Sequence, residues 1–178
     1  MKHFVKFFSG INVGKAYKEL LDNEVLWNAD NFRTTFEGSP FKECDDIVLR
    51  FQEAFPPIDG DHECVNRAEM FLLPECQKLI RWLMAEVGCT RLGRVLISRM
   101  EPGKEILPHE DSPQHAAYYD RYHIVLNGKP GSTFYCMEES TDMLTGEVWW
   151  FNNALMHSVK NTSEEERIHI IVDMKGFE

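Results

Sequence analysis

From residue 91 onward the chain is cut into short segments, each of strand length. "GRVLISRM", "EILPHED", "RYHIVLNG", "STFYCMEE", "GEVWWFNN", "MHSVKN" and "RIHIIVDMK" follow in turn. Turn-formers separate them at Pro102-Gly103, Asn127-Gly128 with Pro130-Gly131, Thr145-Gly146, Asn152-Asn153 and Asn161-Thr162-Ser163. So many short strands in so little chain predict a compact antiparallel sandwich or barrel. The texture before Cys89 is different. "INVGKAYKELLDN" reads as a short amphipathic helix, "IVLRFQEAF" as a strand ended by Pro56-Pro57, and "IDGDHECVN" as a polar loop. "LPECQKLIRWLMAEVG" opens with a proline, spaces Cys76, Leu79, Ile80, Leu83 and Val87 along one face, and stops at Gly88. That is a helix made to pack on something flat. The 178 residues therefore read as one domain: 1–90 a helical and loop support region, 91–175 the β core.

Period two sorts the faces of the later strands. In "ERIHIIVDMK", Ile168, Ile170, Val172 and Met174 point one way, and Arg167, His169, Ile171 and Asp173 the other. In "DRYHIVLNG", Tyr122, Ile124 and Leu126 oppose Arg121, His123 and Val125. Each strand has a clean apolar face suited to the helices and an Arg-x-His face suited to the barrel interior.

Charge and cysteine usage exclude several classes of partner. A formal net charge of -10 argues against nucleic acid or an anionic membrane, since both demand a broad basic surface. The opening "MKHFVKFFSGINVGKAY" has no apolar run of secretory or membrane-spanning length. Five scattered cysteines without a CxxC pair fit reduced structural thiols in the cytoplasm.

His109 and Asp111 stand two apart, so on an extended segment both leave the same face and can grip one ion. Taken alone, the pair reads first as a surface histidine beside a solvated aspartate. His157, late in the sheet in "ALMHSVKN", is the candidate third ligand. Two histidines and one carboxylate occupy one face of an octahedral metal and leave the other positions open; nitrogen and oxygen donors without thiolate favour Fe(II) over structural zinc. Arg167, inward-facing ten residues after His157, wants a carboxylate, and a guanidinium takes one in a two-pronged grip. Asp173 lies too far along the same strand to supply it. Three other residues have plainer readings: His115 as a solvated loop histidine, His169 as a core hydrogen-bonder, and one of Trp149 and Trp150 as core beneath the helices.

Taken together, "PGKEILPHED", "RYHIVL", "GEVWWFNNALMHSVKN" and "RIHIIVD" resemble the aspartyl/asparaginyl β-hydroxylase family of Fe(II)- and 2-oxoglutarate-dependent oxygenases, especially the small phage and bacterial versions. The likeness spans roughly residues 91 to 174. It implies a mainly β fold, a double-stranded β-helix or jelly roll flanked by N-terminal helices. It implies iron on His109 and His157, with 2-oxoglutarate and O2 as co-substrates. The animal protein hydroxylases of the family look like two-histidine sites without the carboxylate; this chain supplies Asp111. By the same resemblance Arg167 and Ser98 hold the distal carboxylate of 2-oxoglutarate, and Arg121 and His123 line its pocket. The expected activity is hydroxylation of a peptide side chain or small polar metabolite, with succinate and CO2 released. A cupin-like jelly-roll enzyme that does not use 2-oxoglutarate would keep the histidines without needing Arg167. A non-catalytic jelly-roll binding module has no reason to keep all four residues.

Overall fold

The computed structural model describes residues 2–54 and 57–176; Pro56, read above as a strand terminator, lies outside them. The strands are β1 (Phe4–Phe8), β2 (Asp45–Phe51), β3 (Val65–Asn66), β4 (Arg91–Met100), β5 (Glu105–His109), β6 (Asp120–Asn127), β7 (Ser132–Cys136), β8 (Glu139–Asp142), β9 (Val148–Phe151), β10 (His157–Asn161) and β11 (Arg167–Lys175). The helices are α1 (Gly14–Leu21), α2 (Phe32–Thr35), α3 (Glu69–Leu72), α4 (Pro74–Glu86) and α5 (Pro113–Tyr118). A larger antiparallel sheet runs β1-β9-β6-β11-β4-β2-β3, and a smaller one runs β5-β10-β7-β8. The smaller sheet covers part of the inner face of the larger, and α1 and α4 cover its outer face. This is the expected jelly roll flanked by helices.

The alternation along β6 and β11 settles which residues go where. Tyr122, Ile124, Leu126, Ile168, Ile170, Val172 and Met174 join Leu20, Cys76, Ile80 and Leu83 in the core between sheet and helices. α4 begins at Pro74, whose missing N–H is no loss in a first turn, and its chain reverses at Gly88 with φ +61°. The inner core is built from both sheets: Val125, Trp149 and Phe151 meet Ile106, Phe134, Cys136 and Val159. Burying an apolar side chain stabilises by about 1.5–3 kcal/mol, so a one-residue slip in β11, which swaps its faces, is strongly disfavoured.

The first ninety residues are more than support. They add three strands to the larger sheet: β2 beside β4, β3 at one edge and β1 at the other. β1, "FVKFF", pairs antiparallel with β9, a pairing that local pattern does not announce. Phe4 is its fully buried residue and packs edge-on to Phe134 at 5.7 Å.

Candidate metal centre

β5 and β10 are neighbours in the smaller sheet, and their register sets His157 directly opposite His109. The two rings lie 4.2 Å apart, centroid to centroid. Asp111 follows β5, its N–H donating to the Asn153 carbonyl at 3.4 Å. The nitrogen and oxygen donors of His109, Asp111 and His157 all lie within 4.8 Å of one another. The three residues picked out by spacing therefore converge.

The protonation pattern around them is already that of a ligand set. Nδ1 of His109 lies 2.8 Å from the Leu107 carbonyl, and Nδ1 of His157 lies 2.8 Å from the Leu155 carbonyl. A carbonyl only accepts, so each Nδ1 carries the hydrogen and each Nε2 presents a lone pair. Burial holds both rings neutral: His109 is lowered to about 4 by desolvation and then by His157, and His157 is lowered by desolvation. Burial alone would raise the Asp111 carboxyl, but Arg121 and then His157 outweigh it and keep the group ionised. Arg121 Nη1 donates to its Oδ2 at 2.5 Å and Asn153 Nδ2 to the same atom at 3.0 Å. Both bonds fall on one oxygen, leaving Oδ1 for a cation. Cys136, opposite His157 on β7, has its thiol pushed up to about 11 by burial and is not a thiolate donor. The donor set is thus two neutral imidazoles and one carboxylate, which suits Fe(II) with open positions.

Behind Asp111 lies a chain of ion pairs. Register places Asp173 of β11 opposite Arg121 of β6. Arg121 Nε and Nη2 grip the two Asp173 oxygens at 2.7 and 2.9 Å, while His115 Nε2 lies 2.8 Å from Oδ2. Arg121 is thereby raised despite its burial, and Asp173 is held far below the usual carboxylate range. Arg121, expected to line the co-substrate pocket, lies in the wall of the cleft with His109 and Asp111, and its donors are engaged by Asp111 and Asp173, so that it also holds the carboxylate beside the two histidines. One expectation changes here. His115, expected in solvent, is 1% exposed, because Pro113 starts the short helix α5 and that turn lays the ring on Asp173.

At the other end of β11 the charge is not balanced. Arg167 is 2% exposed, and its Nη2 donates to His169 Nδ1 at 2.9 Å. Among the described residues no carboxylate comes within 4.0 Å of it. Burial lowers its pKa to about 10, and the nearby Cys44 thiol, pushed up to about 11 by its own burial, brings no charge. Because an arginine only donates, His169 Nδ1 accepts and the ring hydrogen sits on Nε2. That Nε2 and the Ser98 Oγ, on the residue opposite His169 across β4 and β11, are buried without a partner. His123 Nδ1 lies 3.1 Å from His169 Nδ1, and its Nε2 is likewise unpartnered. Arg167, Ser98 and His123 are thus gathered on the inner face around His169. The His169 Nε2–H and the Ser98 hydroxyl are unpaired buried donors, each costing about 1–3 kcal/mol, so Arg167, Ser98 and His169 are arranged for an acceptor, and a carboxylate is the acceptor a buried guanidinium prefers; His123, whose ring hydrogen sits on Nδ1, presents a lone pair at Nε2.

Sequence reasoning missed the wall of the entrance. A cleft of about 610 Å³ opens over His109 and Asp111, lined also by Phe32, Arg33, Phe41, Arg94 and Ile171. Arg33 stacks 3.5 Å over the Phe41 ring and pairs with the buried Asp46. Phe41 in turn packs edge-on to His109, 4.7 Å between ring centres. None of these belongs to a spaced motif.

Fold and site together define a class: an antiparallel jelly roll carrying two histidines and a carboxylate at its mouth, in the manner of jelly-roll metal-dependent oxygenases. The family model for aspartyl/asparaginyl beta-hydroxylases matches residues 58–176, and the chain belongs to that family. L-proline cis-4-hydroxylase of Rhizobium meliloti (strain 1021) is 26% identical over 104 residues, 58% of this chain and 36% of that protein. The match thus spans about a third of the length of that curated relative. Among solved structures, a prolyl hydroxylase from Trichoplax adhaerens, in complex with a hypoxia inducible factor peptide fragment, superposes with a TM-score of 0.62. It is 11% identical, over 97% of this chain and 83% of that one. An oxidoreductase of the 2OG-Fe(II) oxygenase family from Burkholderia pseudomallei has a TM-score of 0.53 and 15% identity, over 92% and 90% of the two chains. These likenesses are of fold. No helix among the described residues is long and apolar enough to cross a membrane.

Proposed function

We propose that this protein is an Fe(II)- and 2-oxoglutarate-dependent dioxygenase that hydroxylates a peptide side chain or a small metabolite, with succinate and CO2 as co-products. The observation that carries the reading is Arg167: a buried guanidinium without a carboxylate among the described residues, inside the same jelly roll as a metal-capable His-Asp-His cluster. Iron, when bound with 2-oxoglutarate, supplies the oxidising chemistry. The chain supplies the rest. His109 and His157 offer Nε2 lone pairs, and Asp111 offers Oδ1 and one negative charge. Arg121 and Asn153 hold that carboxylate in place, and Arg167 with Ser98 takes the distal carboxylate of the co-substrate. Phe134, Phe151 and Ile106 keep water from the interior. The five free cysteines, four of them buried, support a cytoplasmic setting. The relative that acts on L-proline, by its name, supports a small amino acid as one substrate to try. The test is succinate release with Fe(II), ascorbate and 2-oxoglutarate against a panel of peptides and metabolites. Substrate-stimulated succinate at wild-type sites, lost in His109→Ala, is the expected result; binding of metal without any 2-oxoglutarate consumption would overturn the reading.

A further inference from the structure

A second buried arginine faces the same cleft, and the proposed chemistry leaves it unused. Arg94 of β4 is 7% exposed and lines the cleft with His109, Asp111, Leu96 and Ile171. Its guanidinium lies 4.8 Å over the Phe51 ring, and Nη2 donates to Gln52 Oε1 at 3.0 Å. Gln52 is itself fixed, its Nε2 donating to the Ile58 carbonyl at 2.9 Å. The arginine is therefore held in one orientation, yet Nε is buried without a partner. Among the described residues no carboxylate lies within 4.0 Å of it, since Arg121 already takes both Asp111 and Asp173.

We propose that Arg94 anchors a carboxylate of the primary substrate, so that the substrate is a small free carboxylic or amino acid with an apolar body. The assignment rests on the oxygenase reading above. Arg94 and Ser98 are four residues apart on one strand, about 13 Å at the rise of an extended chain. Leu96 and Ile171, paired across β4 and β11, stand between them. The anion expected at Arg167 and Ser98 thus lies too far away to pair with Arg94, whose charge meets Asp173 and Asp111 only at a distance, and a second anion would give it a direct partner. Around it the cleft is apolar: Phe32, Phe36, Phe51, Leu96 and Ile171 offer no polar side chain to a guest. A residue in the middle of a peptide has no free α-carboxylate to offer such a site. A free acid has one, and fixing it at Arg94 would set the body against the apolar wall beside the metal cluster.

The experiment compares free acids with their amides. Succinate release is measured for a panel of small apolar amino and carboxylic acids, their C-terminal amides, and peptides carrying the same residues internally. Wild type, Arg94→Gln and Arg94→Lys are tested, and 2-oxoglutarate affinity is measured separately on the Mn(II)-loaded proteins. The expected result is an acid preferred over its amide, with KM for the acid about 100-fold higher in Arg94→Gln. The KM for the amide should stay within about threefold, and Arg94→Lys should recover part of the preference. Normal 2-oxoglutarate binding in both variants shows that they fold. A preference for peptides or amides, no response to any free acid, or an unchanged acid preference in Arg94→Gln would overturn the proposal. Failure of wild type to bind 2-oxoglutarate at all would instead sink the oxygenase reading.

Discussion

Replacing Arg167 with methionine should move stability and co-substrate affinity in opposite directions. Methionine is close in volume and apolar, so the cavity stays filled while the uncompensated charge is removed. Exchanging buried charged groups for apolar ones of similar size is often neutral or stabilising by about 1–4 kcal/mol. Arg167 is at the favourable end, because no carboxylate faces it and its loss leaves His169 Nδ1 still within reach of His123 Nδ1. For a chain of this size 1 kcal/mol moves Tm by about 2–4 °C, so the metal-free variant should melt at least about 2 °C higher than wild type. Binding should move the other way. Two charge-assisted hydrogen bonds lost at about 1.5 kcal/mol each, with 1.4 kcal/mol per tenfold, weaken 2-oxoglutarate by about 100-fold. Differential scanning fluorimetry with Mn(II) reads both quantities. At a 2-oxoglutarate concentration 100 times the wild-type Kd, the ligand stabilises wild type by about 2.7 kcal/mol and the variant by about 0.4 kcal/mol. A variant that melts lower without ligand, and still responds to 2-oxoglutarate like wild type, would show Arg167 to be a structural partner of His169 and would refute the argument.

Two further outcomes follow from the site. Asp111→Ala should weaken Mn(II) binding in isothermal titration by more than about 100-fold, while Asn153→Ala, which removes one support of that carboxylate, should cost about 10- to 100-fold; equal affinity in wild type and Asp111→Ala would make the centre a two-histidine site. The second concerns acid. His123 and His169 are buried, and desolvation first, then Arg167, lowers both well below their ordinary range. The folded state keeps them neutral while the unfolded chain protonates near pH 6.5, so the stability they contribute is present above that value and lost as pH falls below it. Between pH 7.5 and 5.5 the two together should lose about 3 kcal/mol of the metal-free protein's stability, read as a drop in the urea midpoint. His109 and His157, also lowered by burial, add to the slope of the metal-free protein, so His169→Gln should remove about 1.4 kcal/mol of the total loss, and an unchanged slope would mean the ring titrates in the folded state.

Period-two patterning carried a great deal. It put Arg167, His169, Ile171 and Asp173 on one face of β11 and their neighbours on the other, and the two cores divide the strand the same way. It also brought His109 and Asp111 to one side, because an extended chain has no other way to aim residues two apart. What it could not carry was partnership across strands. That Arg121 meets Asp173 depends on the β6 and β11 register, which is set by the whole sheet and by a bulge that no single strand reveals. The same holds for His115. In the sequence it sits among polar and small residues and looks solvated, but a proline-started turn and Gly93 bring it down on Asp173. A Cβ at Gly93 would lie 3.1 Å from that of Asp173 and 2.9 Å from the Tyr119 ring, so the glycine admits the close packing of α5 beside the sheet.

The arrangement of charge then separates the two halves of the interior by role. At the Asp111 end, Arg121 stands between two carboxylates and His115 lies on the second, so both acids have hydrogen-bonded partners before any ligand arrives. A network paired in this way can hold a geometry through cycles of binding and release, which is what a metal-facing carboxylate requires. Arg167, and Arg94 in the cleft wall, have no acid within 4.0 Å among the described residues and are fixed by neutral partners, His169 and Gln52. A fixed, unneutralised guanidinium is costly to the empty protein and contributes only when an anion comes in, so its energy appears in binding and not in folding. Substituting either arginine should therefore leave the fold intact and change which anions the cleft retains, whereas substituting Arg121 leaves Asp111 and Asp173 buried and facing each other. Arg121→Met should thus cost both stability and metal affinity, the opposite pattern to Arg167→Met, although both residues are inward-facing arginines of the same sheet.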